Sequence, residues 1–171
     1  MQISSGMLWA LVGLLVLVIC ICQTRFARAW GLTLWYASAI ALKGLGVSED
    51  AEYRSIARTL MREWSEAVLR LFTINVEVEG RENIPPSDTP CLYLCNHQSS
   101  MDIPTLVNVI PSYFAFMPKM EIRSIPVVGY VLERSGHIFL DRSSPEKALV
   151  AMNQVAAPAL RSRSFLIFPE G

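Results

Sequence analysis

The first 24 residues carry no charged side chain, and the first 43 carry no acidic one. Charge is scarce throughout: Asp, Glu, Lys and Arg make up 18% of the 171 residues, against 52% apolar. A basic excess is missing too, since 15 Lys+Arg face 15 Asp+Glu. Without surplus cations a chain has little with which to neutralise phosphodiesters, which argues against nucleic acid as the main partner. Four cysteines are too few for a disulfide scaffold, and nine glycines too few for collagen. The apolar content excludes intrinsic disorder. The length leaves room for one domain.

The charge that is present is unevenly placed. Residues 1–43 hold only Arg25, Arg28 and Lys43, whereas residues 44–171 hold 12 basic and 15 acidic side chains. That layout reads as a membrane-associated head, 1–43, on a folded body, 44–171. Gly6 to Cys22 is an uncharged run of 17 residues, at the short end of a spanning helix. It makes a poor signal peptide, because it lacks a basic start and a small-residue cleavage site. A second apolar run, Ala29 to Leu42, is too short to span alone. It reads either as the returning arm of a re-entrant hairpin or as a buried helix. Trp30, Trp35 and Tyr36 suit the headgroup level. Under either topology the basic flank places the body on the cytoplasmic side.

Ser48 is expected to cap a helix that runs to Phe72, with Tyr53, Ala57, Leu60, Trp64 and Val68 on its apolar face. Arg54, Arg58 and Arg62 stack on another face, either as a solvated ridge partly neutralised by Glu66 or as a contact for lipid phosphates. Ile74–Gly80 alternates like a half-buried strand. Cys91–Cys95 reads as a short buried strand, Pro104 to Ile110 as a helix, Tyr113–Met117 and His137–Leu140 as strands. A helix from Pro145 to about Leu160, capped at Ser143 or Ser144, precedes a buried strand at Ser164–Phe168. Strands alternating with helices predict an α/β fold, a sheet covered by helices. Cys91, Cys95 and His97 spell C-x-x-x-C-x-H, but no fourth ligand lies near and zinc sites favour closer cysteine pairs. The thiols read instead as free and buried, as in a reducing compartment.

The segment NHQSSMD, residues 96–102, follows the CLYLC strand directly. Open α/β sheets place their sites in loops at the C-terminal ends of strands. If this loop turns into a helix at Ser99–Ser100, Asp102 can fold back on the His97 ring. A carboxylate on one ring nitrogen fixes the tautomer and leaves the other nitrogen free as a general base. The bland alternative is a satisfied structural histidine. His137, outside any motif, reads as structural.

Four motifs stand in register: N-H-x-S-x-x-D from Asn96 to Asp102; K-x-E-I-x-x-x-P-x-x-G over Lys119, Glu121, Ile122, Pro126 and Gly129; F-x-D-R over Phe139, Asp141 and Arg142; and F-P-E-G from Phe168 to Gly171. Together they resemble the family of acyltransferases that acylate glycerophospholipid precursors, over roughly Val76 to Gly171. The resemblance implies acyl transfer from acyl-CoA or acyl-carrier protein, a co-substrate and not a cofactor, to a membrane lipid acceptor. The acceptor it suggests first is the sn-2 hydroxyl of lysophosphatidate. Another lysophospholipid or glycerol 3-phosphate would use the same motif, and a non-catalytic lipid-binding fragment is the alternative from another class. By the resemblance His97 is the base and Asp102 its partner. Lys119 helps hold acceptor phosphate, with Arg142 a second claimant, and Glu170 belongs to a motif tied to acceptor binding. Asn96, Glu121, Pro126, Gly129 and Gly171 complete the motifs; Pro126 and Gly129 read as shaping their loop, and Lys119 with Glu121 reads alternatively as a surface ion pair. The family continues beyond F-P-E-G with Thr-Arg, so the chain is expected to be the N-terminal portion of a longer enzyme.

Overall fold

The computed structural model describes residues 5–87, 89–141 and 162–169. Its first element is a single helix, α1, Ser5–Lys43. The hairpin expectation is therefore corrected. Arg25 and Arg28 do not break the helix, because a helix surface carries charge at no cost to its backbone hydrogen bonds. By length and composition Gly13–Lys43 can cross a membrane. Apolar side chains along it stand exposed, Leu14 at 58% and Trp35 at 71%, while Ala37 and Ile40 are buried.

Helix α2, Asp50–Leu71, returns antiparallel to α1. Its apolar face repeats at helical spacing and supplies Tyr53, Ala57 and Leu60 to a core shared with Ala37 and Ile40. Further along the pair, Trp64 Nε1 donates to Thr33 Oγ1 at 3.0 Å and Phe26 meets Phe72 edge to face. Ser48 does not cap α2. Glu49 holds the cap position without a side-chain bond, and Asp50 and Glu52 supply negative charge to the first turn. Arg134 ties the α1–α2 connection down: it pairs with Asp50, donates to the Val47 and Ser48 carbonyls, and lies 4.8 Å over the Tyr53 ring.

Among the described residues the sheet has three parallel strands: β1, Leu92–Leu94; β2, Phe114–Phe116; and β3, Ser164–Ile167. Their order is β1-β3-β2, with Leu94 opposite Ile167 and Phe116 opposite Leu166. The last strand among the described residues is thus central, and Phe165 and Leu166 are fully buried. Helix α3, Asp102–Val109, crosses from the end of β1 to the start of β2. A short 3-10 turn, Met120–Ser124, leads to α4, Val128–Arg134, which packs with α1 and α2 through Val128 and Val131.

Three strand expectations change. Residues 74–80 form no strand, and a 3-10 turn follows at Arg81–Asn83. The CLYLC strand forms but is not buried: Leu92 and Leu94, which share one face of β1, are 43% and 65% exposed, while Tyr93 on the other face packs against Ile110, Phe114 and Leu166. His137–Leu140 runs beside the end of β2, with Ile138 N–H on the Phe116 carbonyl and Leu140 N–H on that of Pro118, yet closes only one bridge, Lys119 to Leu140. The expected helix from Pro145 to Leu160 lies outside the described residues.

Candidate active site

In a parallel sheet all strands end at the same edge. Three residues past Leu94 stands His97, three past Phe116 stands Lys119, and directly after Ile167 stands Phe168. The topology thereby gathers three of the four motifs at one edge.

Asp102 opens α3 and its carboxylate reaches back over the loop before it. One oxygen, Oδ2, accepts from His97 Nδ1 at 2.8 Å, from Gln98 N–H at 2.8 Å and from Ser99 N–H at 2.9 Å. Ser99 Oγ accepts from Met101 N–H and tightens the same turn. Burial pushes the Asp102 carboxyl up, but the Ser99 N–H, the His97 ring and the Gln98 N–H outweigh it and hold the pKa below the ordinary carboxylate value. The helix N-terminus also favours the anion. An ionised Asp102 requires the proton on His97 Nδ1, which leaves the Nε2 lone pair available. Nε2 makes no hydrogen bond among the described residues, and the side chain is 39% exposed. The ring lies flat against Phe168, with centroids 4.2 Å apart and planes 21° apart.

The other predicted residues fall into three groups. Asn96 and Lys119 are exposed at the same sheet edge, and Lys119 begins the 3-10 turn that carries Glu121. Lys119 and Glu121 form no ion pair with each other among the described residues, so that alternative is set aside. Gly129 has no room for a side chain: a Cβ there would fall 2.1 Å from the Arg123 carbonyl oxygen. Pro126 shapes the same loop, with Val128 N–H donating to its carbonyl. Arg142, Glu170 and Gly171 lie outside the described residues.

His137 is indeed structural. Phe116 N–H donates to its Nδ1 at 3.0 Å, and its Nε2 meets the Tyr113 hydroxyl at 3.1 Å. Burial drives its pKa down to about 3, so it stays neutral.

Two features escaped the sequence. Phe168 was legible only as a motif letter, not as the ring under His97. A cavity of about 460 Å³ also reaches Ser100 and Met101 beside the histidine loop, between α1, α2 and the 3-10 turn. Its walls are overwhelmingly apolar, among them Trp30, Tyr36, Trp64, Ile103 and Phe116.

The family model described as Acyltransferase matches residues 75–171. A chloroplastic 1-acyl-sn-glycerol-3-phosphate acyltransferase of Brassica napus is 33% identical over 122 residues, 71% of this chain and 35% of that protein. A lyso-ornithine lipid O-acyltransferase of Pseudomonas aeruginosa is 32% identical over 146 residues, 85% of this chain and 51% of that protein. The crystal structure of the 1-acyl-sn-glycerophosphate acyltransferase PlsC from Thermotoga maritima superposes with a TM-score of 0.63 at 25% identity, covering 86% of this chain and 62% of that one. The chain spans about a third of the length of the plant relatives it matches.

Proposed function

The chain belongs to the acyltransferase family, and on that premise we propose that it transfers an acyl group from an acyl-CoA or acyl-carrier-protein thioester to the sn-2 hydroxyl of lysophosphatidate, giving phosphatidate. The observation that carries the reading is the His97–Asp102 pair: Nδ1 bonded to a carboxylate at 2.8 Å, Nε2 unbonded, at the edge where the strands end. His97 Nε2 takes the proton of the acceptor hydroxyl as its oxygen attacks the thioester carbonyl. The tetrahedral intermediate collapses, the carbon–sulfur bond breaks, and the thiolate takes the proton back from His97. Asp102 stabilises the imidazolium between these steps. A thioester is already activated, so the site supplies proximity, a base and charge stabilisation.

Lys119 holds the acceptor phosphate as a point charge, with Arg142 and Glu170 assigned to the same acceptor region. The apolar cavity takes the acyl chain, because its walls match a hydrocarbon and it opens beside the histidine loop. Residues 1–43 anchor the protein in the membrane with residues 44–171 on the cytoplasmic side, so that the lipid acceptor enters from the bilayer.

One observation favours a second acceptor class. The lyso-ornithine lipid relative aligns with more of this chain, 85%, than the plant relatives do. The test is product analysis with the full-length protein, labelled acyl thioester, and lysophosphatidate and lyso-ornithine lipid in competition. Phosphatidate as main product supports the first reading; acylated ornithine lipid replaces it with the second; no acyl product from a folded enzyme overturns both.

A further inference from the structure

The opposite edge of the sheet, where the strands begin, holds a polar cleft that acyl transfer does not use. Its volume is about 330 Å³, and it lies between the first turns of α2 and the segments leading into β1 and β3. Three guanidinium side chains line it: Arg54 and Arg58 from α2, and Arg163, one residue before β3. Ser55, Ser87 and Thr89 add hydroxyls, and no acidic residue lines the cleft among the described residues.

Arg163 is fixed by its surroundings. Its guanidinium lies 5.5 Å from the Phe165 ring centroid and packs against Gly136. Gly136 has φ +89°, and a Cβ there would fall 2.0 Å from a terminal nitrogen of Arg163. The Arg163 Nε is buried with no hydrogen-bond partner among the described residues. Burial, and then the neighbouring charge of Arg54, lower its pKa. Asp50 also acts on Arg163, but its carboxylate is engaged by Arg134. Arg58 donates to the Pro111 carbonyl. Neighbouring cations around an open cleft that no acid lines among the described residues are a cost that an anion relieves.

We propose that Arg54, Arg58 and Arg163 form a binding site for a phosphate monoester, separate from the acyl-transfer site. Planar guanidinium forks match the oxygens of a phosphate in pairs. The first candidate ligand is a soluble phosphate monoester, and the vesicle arm below tests a lipid headgroup as the other source of the same chemistry.

The experiment uses the full chain, labelled with ¹⁵N-arginine and held in detergent micelles. Inorganic phosphate is titrated against chloride at constant ionic strength while the arginine Nε–Hε resonances are followed. The expected result is a saturable shift at Arg54 and Arg163, with binding about tenfold weaker in Arg54→Gln. Arg163→Gln is the companion variant; should it fail to fold, Arg54→Gln carries the comparison. A second arm distinguishes the source: phosphatidate vesicles should pellet wild type and Arg54→Gln equally, and a selective loss in the variant would move the site to the membrane. No saturable shift, or equal affinity in wild type and the folded variants, overturns the proposal. So does phosphate binding that appears only in Asp88→Asn, since the acid between Ser87 and Thr89 in sequence would then be the resident anion.

Discussion

The imidazole of His97 and the ring of Phe168 lie face to face, 4.2 Å between centroids and 21° between planes. One residue lies in the loop after β1 and the other leaves β3, so strand pairing itself delivers the stack. Together with the Asp102 bond on Nδ1 it fixes the ring in its plane and in rotation. Phe168→Ala should lower kcat about tenfold with little change in KM, because the base loses orientation and not its substrate contacts. Phe168→Tyr, which keeps the stacking face, should restore most of the rate. Steady-state kinetics of both variants check this, and a change confined to KM would place Phe168 in substrate binding instead.

Asp102→Asn should keep the fold and cut turnover by about 10³-fold or more, since the amide no longer enforces the Nδ1–H tautomer. The folded-state pKa of Asp102 is depressed. Its stabilising contribution is therefore present above the ordinary carboxylate value and is lost as pH falls through the lower folded value. Wild type should lose stability in that acid window more steeply than Asp102→Asn, measured by denaturant unfolding at a series of pH values. Parallel curves would mean that the carboxylate does nothing for the loop.

The apolar cavity predicts a chain-length effect. Ala29 lines it from α1. Ala29→Trp fills that end and should raise KM for long-chain thioesters while sparing short ones. Varying the donor chain in otherwise identical assays reads this directly; a uniform change over all lengths would detach the cavity from the acyl group.

Two N-terminal deletions should separate anchoring from folding. Removing residues 1–24 takes away the exposed side chains of Leu14, Leu15, Val18, Ile19 and Ile21 and should abolish membrane pelleting while leaving the body folded. Removing residues 1–43 also strips Ala37 and Ile40 from the core shared with Tyr53, Ala57 and Leu60. At about 2 kcal/mol for Ile40 and about 1 kcal/mol for Ala37, that loss consumes a sizeable part of a marginal stability. Thermal unfolding and vesicle pelleting of the two deletions check the pair. A well-folded body without residues 1–43 would show that this packing is dispensable.

The elements flanking the motifs were legible because each is a short apolar run with a local stop: Leu92–Leu94 before Asn96, Phe114–Phe116 before Pro118, Ser164–Ile167 before Pro169. Ile74–Gly80 has the alternation of a strand, but a strand is a state of pairing, and alternation cannot supply a neighbour. Helix α1 was divided at Arg25 and Arg28 because hydropathy registers charge, not backbone continuity. Helix α4 carries Val, Gly and Tyr at its start and gives no helical signal; Gly129 is there for its close approach to Arg123. At the site, the spacing of His97 and Asp102 left two readings open, a carboxylate folded back if the loop turns at Ser99–Ser100 or a structural histidine; the turn forms, with Asp102 N–H on the Ser99 carbonyl. The Phe168 stack and the cavity join residues scores of positions apart, and no local pattern encodes them.

His97 as the base of acyl transfer rests on a single variant: turnover of His97→Ala in the full-length protein, with lysophosphatidate and acyl-CoA, beside its melting temperature. A base in this position gives a loss of about 10³-fold or more in kcat, with a melting temperature close to wild type because the ring is exposed and outside the core. Near-normal turnover in a folded His97→Ala enzyme would contradict it.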